Sequence, residues 1–549
     1  MKNKTITLSV ILLLSFLSIN TISTAVKTQQ PQIGLTTDIE IVYVDDDYDS
    51  NTLGWGIDHF NKIQDGINTV KSNGLINVYN GEYFEHIIVT NPLQIIGENK
   101  DLTIIDGNLK NSPVVDLASP FVKLINLTVR NGKYGLRVKS DNCEILSCNV
   151  YNNLDDGIII KKDCNIVKNC TCHDNNDNGL KIDSCNNNNV ENCLMENNKH
   201  SGVFVHADKA PTKNNKLFNC TMQYNGRGIF FYNNKFDYQT NNHVEKCVSQ
   251  HNDIKCDDWP GHSETYNCGL VAFVNAEMIL RDNKFNLNPG MGFYANGLES
   301  SMVSNCEFNN NNGNGLHVLW NINSDYTSCS FCKNNDNGAV FSSNSSKMLN
   351  CKYNENKNHG VVITGIISSY FFDNCTFQSN KKDGINIDND LSIWDEVSVS
   401  NCSFTRNYRG VSCGERVCVN YCTFKDNQYG MYINRSRERD RPCVVRHNDF
   451  VDNDVQVFDF FVNIPDIWND SSIGNFWNDY DGKDQNRDGV GDTPYDIPDC
   501  YNSDFFPSMK RFNGIKVKTF TLDMMKKYFS RFDLPLLTCF IYMVSSIYR

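Results

Sequence analysis

The chain lacks the basic excess that nucleic-acid binding needs. Of its 549 residues, 51 are Lys or Arg and 64 are Asp or Glu, for a net charge of −13 and a pI near 5.3. Most of the surface would repel phosphates, so nucleic acid is not expected as a partner. Long apolar runs are missing too. The start, "MKNKTITLSVILLLSFLSINTISTA", has Lys2 and Lys4, an apolar stretch through Leu17, and small residues Ser23 and Ala25 at cleavage spacing. Because the stretch is shorter than the roughly 20 residues of a membrane span, residues 1–25 read as an export signal. The expected location is secreted or at the cell surface. At the other end, Leu534–Tyr548 follows the basic "KKYFSR". At about 1.5 Å per residue it reaches about 22 Å, short of the hydrocarbon core, so an interfacial helix and a membrane anchor stay equal readings for the tail 513–549.

Helical periodicity and the spaced leucines of a leucine-rich horseshoe are also absent. What is present is a repeat. "NCTFQSNKKDGINI", residues 374–387, has close variants along most of the chain. Leu127, Cys148, Cys170, Cys193, Cys220, Cys247, Asn283, Cys306, Cys329, Cys351, Cys375, Cys402, Cys422 and Asn448 share one position, 20 to 27 residues apart except for one gap of 36. A glycine follows in step, from Gly135 to Gly430, opening segments such as "GIII", "GLKI" and "GVVI". A unit this short, with period-2 apolar patches, is one coil of a parallel β-helix.

The repeat predicts side-chain directions. Cys375 and Phe377, two apart, should point inward and Thr376 outward. Asn374 should sit at a bend with positive φ, which Asn tolerates, and Gly384 should do the same at the next corner. Most of the 23 cysteines should then be buried thiols, because same-register side chains stack about 4.8 Å apart and parallel while a disulfide needs Cβ atoms near 3.8 Å. Cys256/Cys268 and Cys413/Cys418 are the disulfide candidates.

Residues 40–508 resemble the right-handed parallel β-helix proteins grouped with NosD, the periplasmic accessory protein of nitrous-oxide reductase, and with the carbohydrate-binding and sugar-hydrolase repeat domain. The residues that carry the resemblance are the entry "VYVDDDYDSNTLGWGIDHFNKIQDGINTV", the first rungs "LQIIGENKDLTIIDG", and the closing "GNFWNDYDGKDQNRDGVGDTPYDIPDCYNSDFFPSM", which is similar to that of exported archaeal relatives. The resemblance implies an all-β, pectin-lyase-like solenoid of about 15–17 rungs. Its parts are a cap with first strands at 40–90, repeats at 91–460 and a closing segment at 461–512. In the cap, Phe60, Ile63, Ile67 and Val70 form an apolar helical stripe that would plug the open end. The fold hosts enzymes and adhesins alike. Polygalacturonase Gly-His-Gly and Arg-Ile-Lys motifs are missing, as is the Asp-Pro-His-Asp of alginate epimerases; Asp155-Asp156 alone is weak. No enzyme is assigned.

Departures from the repeat locate candidate chemistry. Register position to glycine is eight or nine residues in twelve rungs but 22 between Cys247 and Gly269. The insertion gathers His251, Asp253, Asp257, Asp258, Trp259, His262 and Glu264, the acids, imidazoles and aromatic platform that polysaccharide cleavage would use; a covering loop is the plainer reading. On the neighbouring strands the outward residues should form a ladder, Lys181, Phe204, Phe230, Val271, Tyr294 and His317, whose exposed rings could stack on sugars. Trp394 is a lesser candidate. In "DQNRDGVGD", Asp484, Asn486, Asp488 and Asp492 surround Gly489 with the spacing of a calcium loop, with Tyr495 where an EF-hand has its bidentate Glu and Asp481 or Asp496 as further ligands.

The expected function is polysaccharide or cell-surface glycan binding, with an unassigned lyase or hydrolase activity. Two alternatives are a non-catalytic structural or adhesive surface protein and a copper-binding accessory protein of the NosD kind. The last is set back by buried thiols and the lack of a His/Met-rich tract.

Overall fold

The computed structural model describes residues 38–233, 239–254, 267–342, 345–365, 369–387, 396–434, 442–460, 465–498, 500 and 502–512. The chain winds into a parallel β-solenoid of about 16 turns. Most turns contribute three short strands, one to each of three parallel ladders. Around Cys170, for instance, Ile166–Lys168 lies in the first ladder, Thr171–His173 in the second and Leu180–Asp183 in the third. Each pairs in register with the next turn: Val167 with Val190, Cys172 with Met195, Ile182 with Val205.

The bend between first and second ladders is made as expected. Asn374 has φ 53°, and Asn126, Asn169, Asn192, Asn219, Asn305, Asn350 and Asn401 hold the same left-handed geometry on other turns. Cys375 and Phe377 are buried, and Thr376 is turned partly to solvent. The glycine corner has a different cause from the expected one. Gly384 does not have positive φ. A Cβ there would lie 2.6 Å from the carbonyl O of Gly410 and 2.7 Å from Phe404 Cδ1. All thirteen glycines from Gly135 to Gly430 meet a backbone carbonyl of the following turn in this way, at 2.3 to 2.9 Å. Close approach of successive coils, not backbone handedness, requires glycine there.

Two internal ladders fill the coil. Asn153, Asn175, Asn198, Asn225, Asn252, Asn288, Asn311, Asn334, Asn356, Asn380, Asn407, Asn427 and Asn453, each five residues after a register position, form an unbroken chain of buried side-chain hydrogen bonds. Asn356 is typical. Its Nδ2 donates to Asn380 Oδ1 at 3.0 Å and to the Phe331 carbonyl at 2.9 Å, and its Oδ1 accepts from the Asn334 amide at 3.0 Å. The second ladder is aromatic. Phe285, Phe308, Phe331, Tyr353, Phe377, Phe404, Phe424, Phe450, Trp477 and Tyr495 stack face to face, with centroids 4.3 to 5.4 Å apart.

The register cysteines are buried free thiols, and burial pushes those of Cys170, Cys375 and Cys402 well above the ordinary cysteine range. Cys418 is also a free thiol, held by the Asn420 amide at 3.0 Å, so the Cys413/Cys418 bridge is not formed. Cys413 points into the core, whereas Cys418 is only half-buried on the next strand. Cys256 lies outside the described residues.

The entry helix is short, Ile63–Thr69, with Ile63, Ile67 and Val70 buried and Phe60 packed against the core. Glu85 caps it, accepting from the Ile63 and Gln64 amides at 2.7 and 3.0 Å. At the exit, Trp468, Trp477, Tyr495 and Ile497 join the core. Buried Asp504 accepts from Trp477 Nε1 at 3.0 Å and the Asn475 amide at 2.7 Å. Burial holds the Asp504 carboxyl above its usual range.

Candidate functional site

The third ladder carries the candidate site on its outer face. The expected column is in register: Lys181 pairs with Phe204, Phe204 with Phe230, Phe230 with Val271, Val271 with Tyr294 and Tyr294 with His317. Its rings are not the open platform expected. Phe204 is 5% exposed, Phe230 3% and Tyr294 3%, and together with Cys268, Val271 and Phe273 they make a second apolar cluster outside the coil. Phe204 and Phe230 stack at 5.0 Å, Lys181 Nζ lies 5.3 Å above Phe204, and the Arg227 guanidinium 4.9 Å from Phe230. Phe273 fills the space between Phe230 and Tyr294, 5.9 Å from each, and His317 meets Tyr294 edge-on at 5.6 Å. Buried rings of this kind offer no open face to a sugar. Strand spacing predicts the column; that its rings pack together was not readable from single positions.

Of the insertion, His251 and Asp253 are described. His251 occupies a bend at φ 51° with its ring flat on Tyr224, 5.7 Å away, and Asp253 is exposed. Asp257, Asp258, Trp259, His262 and Glu264 lie outside the described residues, as does Trp394.

The same outer column continues beyond His317 through Val340, Val362, Asn386, Ser412, Tyr432 and Phe458. Here sequence reading missed a feature. His359, Lys381, Lys382, Asp383, Asn386, Tyr408 and Arg409 line an open cleft of about 500 Å³. His359, Asp383 and Arg409 immediately precede the glycines of three successive turns, Gly360, Gly384 and Gly410, so the glycine register itself was the usable signal. His359 Nδ1 lies 3.3 Å from Asp383 Oδ2, and Asp383 is buried. Arg409 sits 3.8 Å over the Tyr432 ring and reaches Ser412 Oγ at 3.4 Å, while its Nε is buried and makes no hydrogen bond. Tyr408 is 40% exposed. Two lysines, an arginine, an amide and an open ring around one carboxylate suit an anionic, hydroxyl-rich ligand.

The acidic loop folds around its own backbone. Asp484 accepts from the Asp488 and Gly489 amides at 3.1 and 2.9 Å, Asn486 from the Asp488 amide at 3.0 Å, Asp488 from the Val490 amide at 2.9 Å, and Asp492 from the Gln485 amide at 2.7 Å. Gly489 has φ +91°, which only glycine adopts readily. Tyr495, at the place of an EF-hand glutamate, is a core residue, stacked 4.3 Å from Trp477 with its hydroxyl on Asp479.

Parallel coils, stacked interior ladders and an outer face bearing a cleft define a β-solenoid protein. The chain belongs to the right-handed β-helix family, whose model, described as a right handed beta helix region, matches residues 115–268 and 261–394. No curated protein matches it. Similar solved structures include the A-module of the mannuronan C-5 epimerase AlgE6 of Azotobacter vinelandii, 12% identical over 71% of this chain and 89% of that one, TM-score 0.30. The pectate lyase Pel9A is 14% identical over 78% and 79%, TM-score 0.24. An N-terminal fragment of bacteriophage Phi29 gene product 12 is 10% identical over 71% and 87%, TM-score 0.33.

Proposed function

We propose that the protein is an exported, cell-surface or secreted β-helix of the NosD-like and carbohydrate-binding type that binds an acidic polysaccharide along the outer face of its third ladder. The open cleft carries this reading. It brings Lys381, Lys382 and Arg409 together in a chain whose net charge is −13. The Arg409 guanidinium, held over the Tyr432 ring, offers a fixed positive charge to an acidic group, and the exposed Tyr408 ring offers a face on which a sugar can lie. On a glycan array the full chain is expected to retain polyuronates and sulfated glycans over neutral glucans. Equal retention of both, or of neither, counts against the proposal.

The closing loop of Asp484, Asn486, Asp488 and Asp492 is proposed to bind calcium and so brace the exit of the coil. Its carboxylates crowd one short stretch of chain, each bonded to a backbone amide, and a cation there would relieve their mutual repulsion. Calcium should raise the unfolding midpoint of the wild type by preferential binding to the native state, and Asp488→Ala should reduce that rise by the share this loop contributes. A wild-type melting curve indifferent to calcium and chelator refutes it.

A further inference from the structure

Away from the cleft and the closing loop, the turns that enter the third ladder bring three carboxylates together. Asp155 and Asp156 precede Gly157, and Asp177 occupies the equivalent turn one coil on. One oxygen of each lies within 4.8 Å of the other two. The backbone fixes this arrangement: the Asp177 amide donates to the Asp155 carbonyl at 3.3 Å, and the Gly157 amide to the Asn178 carbonyl at 2.9 Å. Asp156 is 1% exposed. Its Oδ1 accepts from Asn178 Nδ2 at 2.8 Å and the Asn178 amide at 3.3 Å, but its Oδ2 has no hydrogen-bond partner.

Neighbouring cations do not settle the charge. His200 Nδ1 lies 2.5 Å from Asp177 Oδ1. Among the described residues, no lysine or arginine makes an ion pair with Asp155, Asp156 or Asp177. Lys133 and Lys181 act only at longer range. Burial, then the neighbouring Asp177, pushes the Asp156 carboxyl up to about 8. Three carboxyls so close, one of them fully buried, need either a proton or a cation. We propose that Asp155, Asp156 and Asp177 form a binding site for a divalent, oxygen-preferring cation of the calcium class. An all-carboxylate set is a hard donor set, which disfavours copper and other soft ions. Three protein ligands leave the remaining positions to water or to an oxygen of a bound anion. Asn178 orients Asp156 so that the oxygen without a protein partner is the one left for the ion. The site stands independently of the polysaccharide reading.

The test is terbium luminescence on the full chain, excited through Tyr134, which stands beside Asp155, with calcium as competitor. Saturable emission displaced by calcium is expected. It should weaken about tenfold or more in Asp155→Asn and Asp156→Asn and persist in Asp488→Ala, which separates it from the closing loop. Should buried Asp156→Asn fail to fold, the half-buried Asp155→Asn decides, with its thermal melt as the folding control. A folded Asp155→Asn that titrates like the wild type overturns the proposal and leaves a shared proton as the neutralising species. Emission lost through Asp488→Ala alone overturns it equally.

Discussion

The two halves of the coil use the same backbone but fill it differently. Two residues after each register position, the earlier turns place Val150, Cys172, Met195, Met222 and Ser249, whereas the later turns place the unbroken run of rings from Phe285 to Trp477. The switch falls at Ser249, beside the insertion. Its hydroxyl donates to the Gly269 carbonyl at 2.7 Å and accepts from Asn252 Nδ2 at 3.0 Å, so a polar group is tolerated where both its bonds are met. The outer faces differ as well: an acidic trio on the early turns, a cationic cleft on the late ones. A solenoid whose turns contact only their neighbours can change composition along its length without changing fold.

The largest expected effect breaks the later core. Phe377 stacks between Tyr353 and Phe404 at 5.0 and 4.7 Å, and Phe377→Ala should cost about 3–5 kcal/mol, read as a drop in the denaturation midpoint. Met195→Leu, at the equivalent position of an earlier turn, should cost under about 1.5 kcal/mol because volume is kept. Similar losses from the two would erase the distinction. The asparagine ladder runs through both halves, so Asn198→Ala and Asn356→Ala should each destabilise by about 1–3 kcal/mol per bond partner left unsatisfied. Markedly unequal losses would show that the ladder does not act as one element.

The smallest effect is electrostatic and belongs to the early turns. The His206 hydrogen bond, followed by Lys161 at 2.8 Å, holds the Asp183 carboxyl far below the usual carboxylate range. A carboxyl lowered in the folded state contributes stability that is present above its unfolded value and lost as pH falls toward the folded one. The wild type should therefore lose stability on acidification below the ordinary carboxylate range, and Asp183→Asn should flatten that slope. An unchanged slope in the variant contradicts the assignment.

Much of this architecture was legible in single residues. Asn374 announces its bend, because Asn tolerates left-handed φ better than most residues, although Ser147, Lys246 and Tyr421 make the same bend on other turns; Cys375 with Phe377 announces the inward face. Gly384 announced the correct corner for the wrong reason: clearance from the next coil depends on how turns stack, which no single turn contains. The asparagine ladder was visible as a fixed offset of five from each register position, but its hydrogen bonds run between turns. The outer ladder from Lys181 to His317 was predicted in register, whereas Phe230 and Tyr294 also pack on Phe273, a neighbour outside the pattern. The cleft escaped notice because His359, Asp383 and Arg409 are ordinary in their own rungs and become a cluster only when three rungs are superposed.

The most direct measurement is calorimetric titration of the full chain with polygalacturonate and, in parallel, a neutral dextran, repeated with Arg409→Ala. Binding of the acidic polymer alone is predicted, weakened about tenfold or more in the variant, as loss of a charge-assisted hydrogen bond implies. Polygalacturonate heats indistinguishable from dextran, or an affinity untouched by Arg409→Ala, would contradict the placement of the binding face.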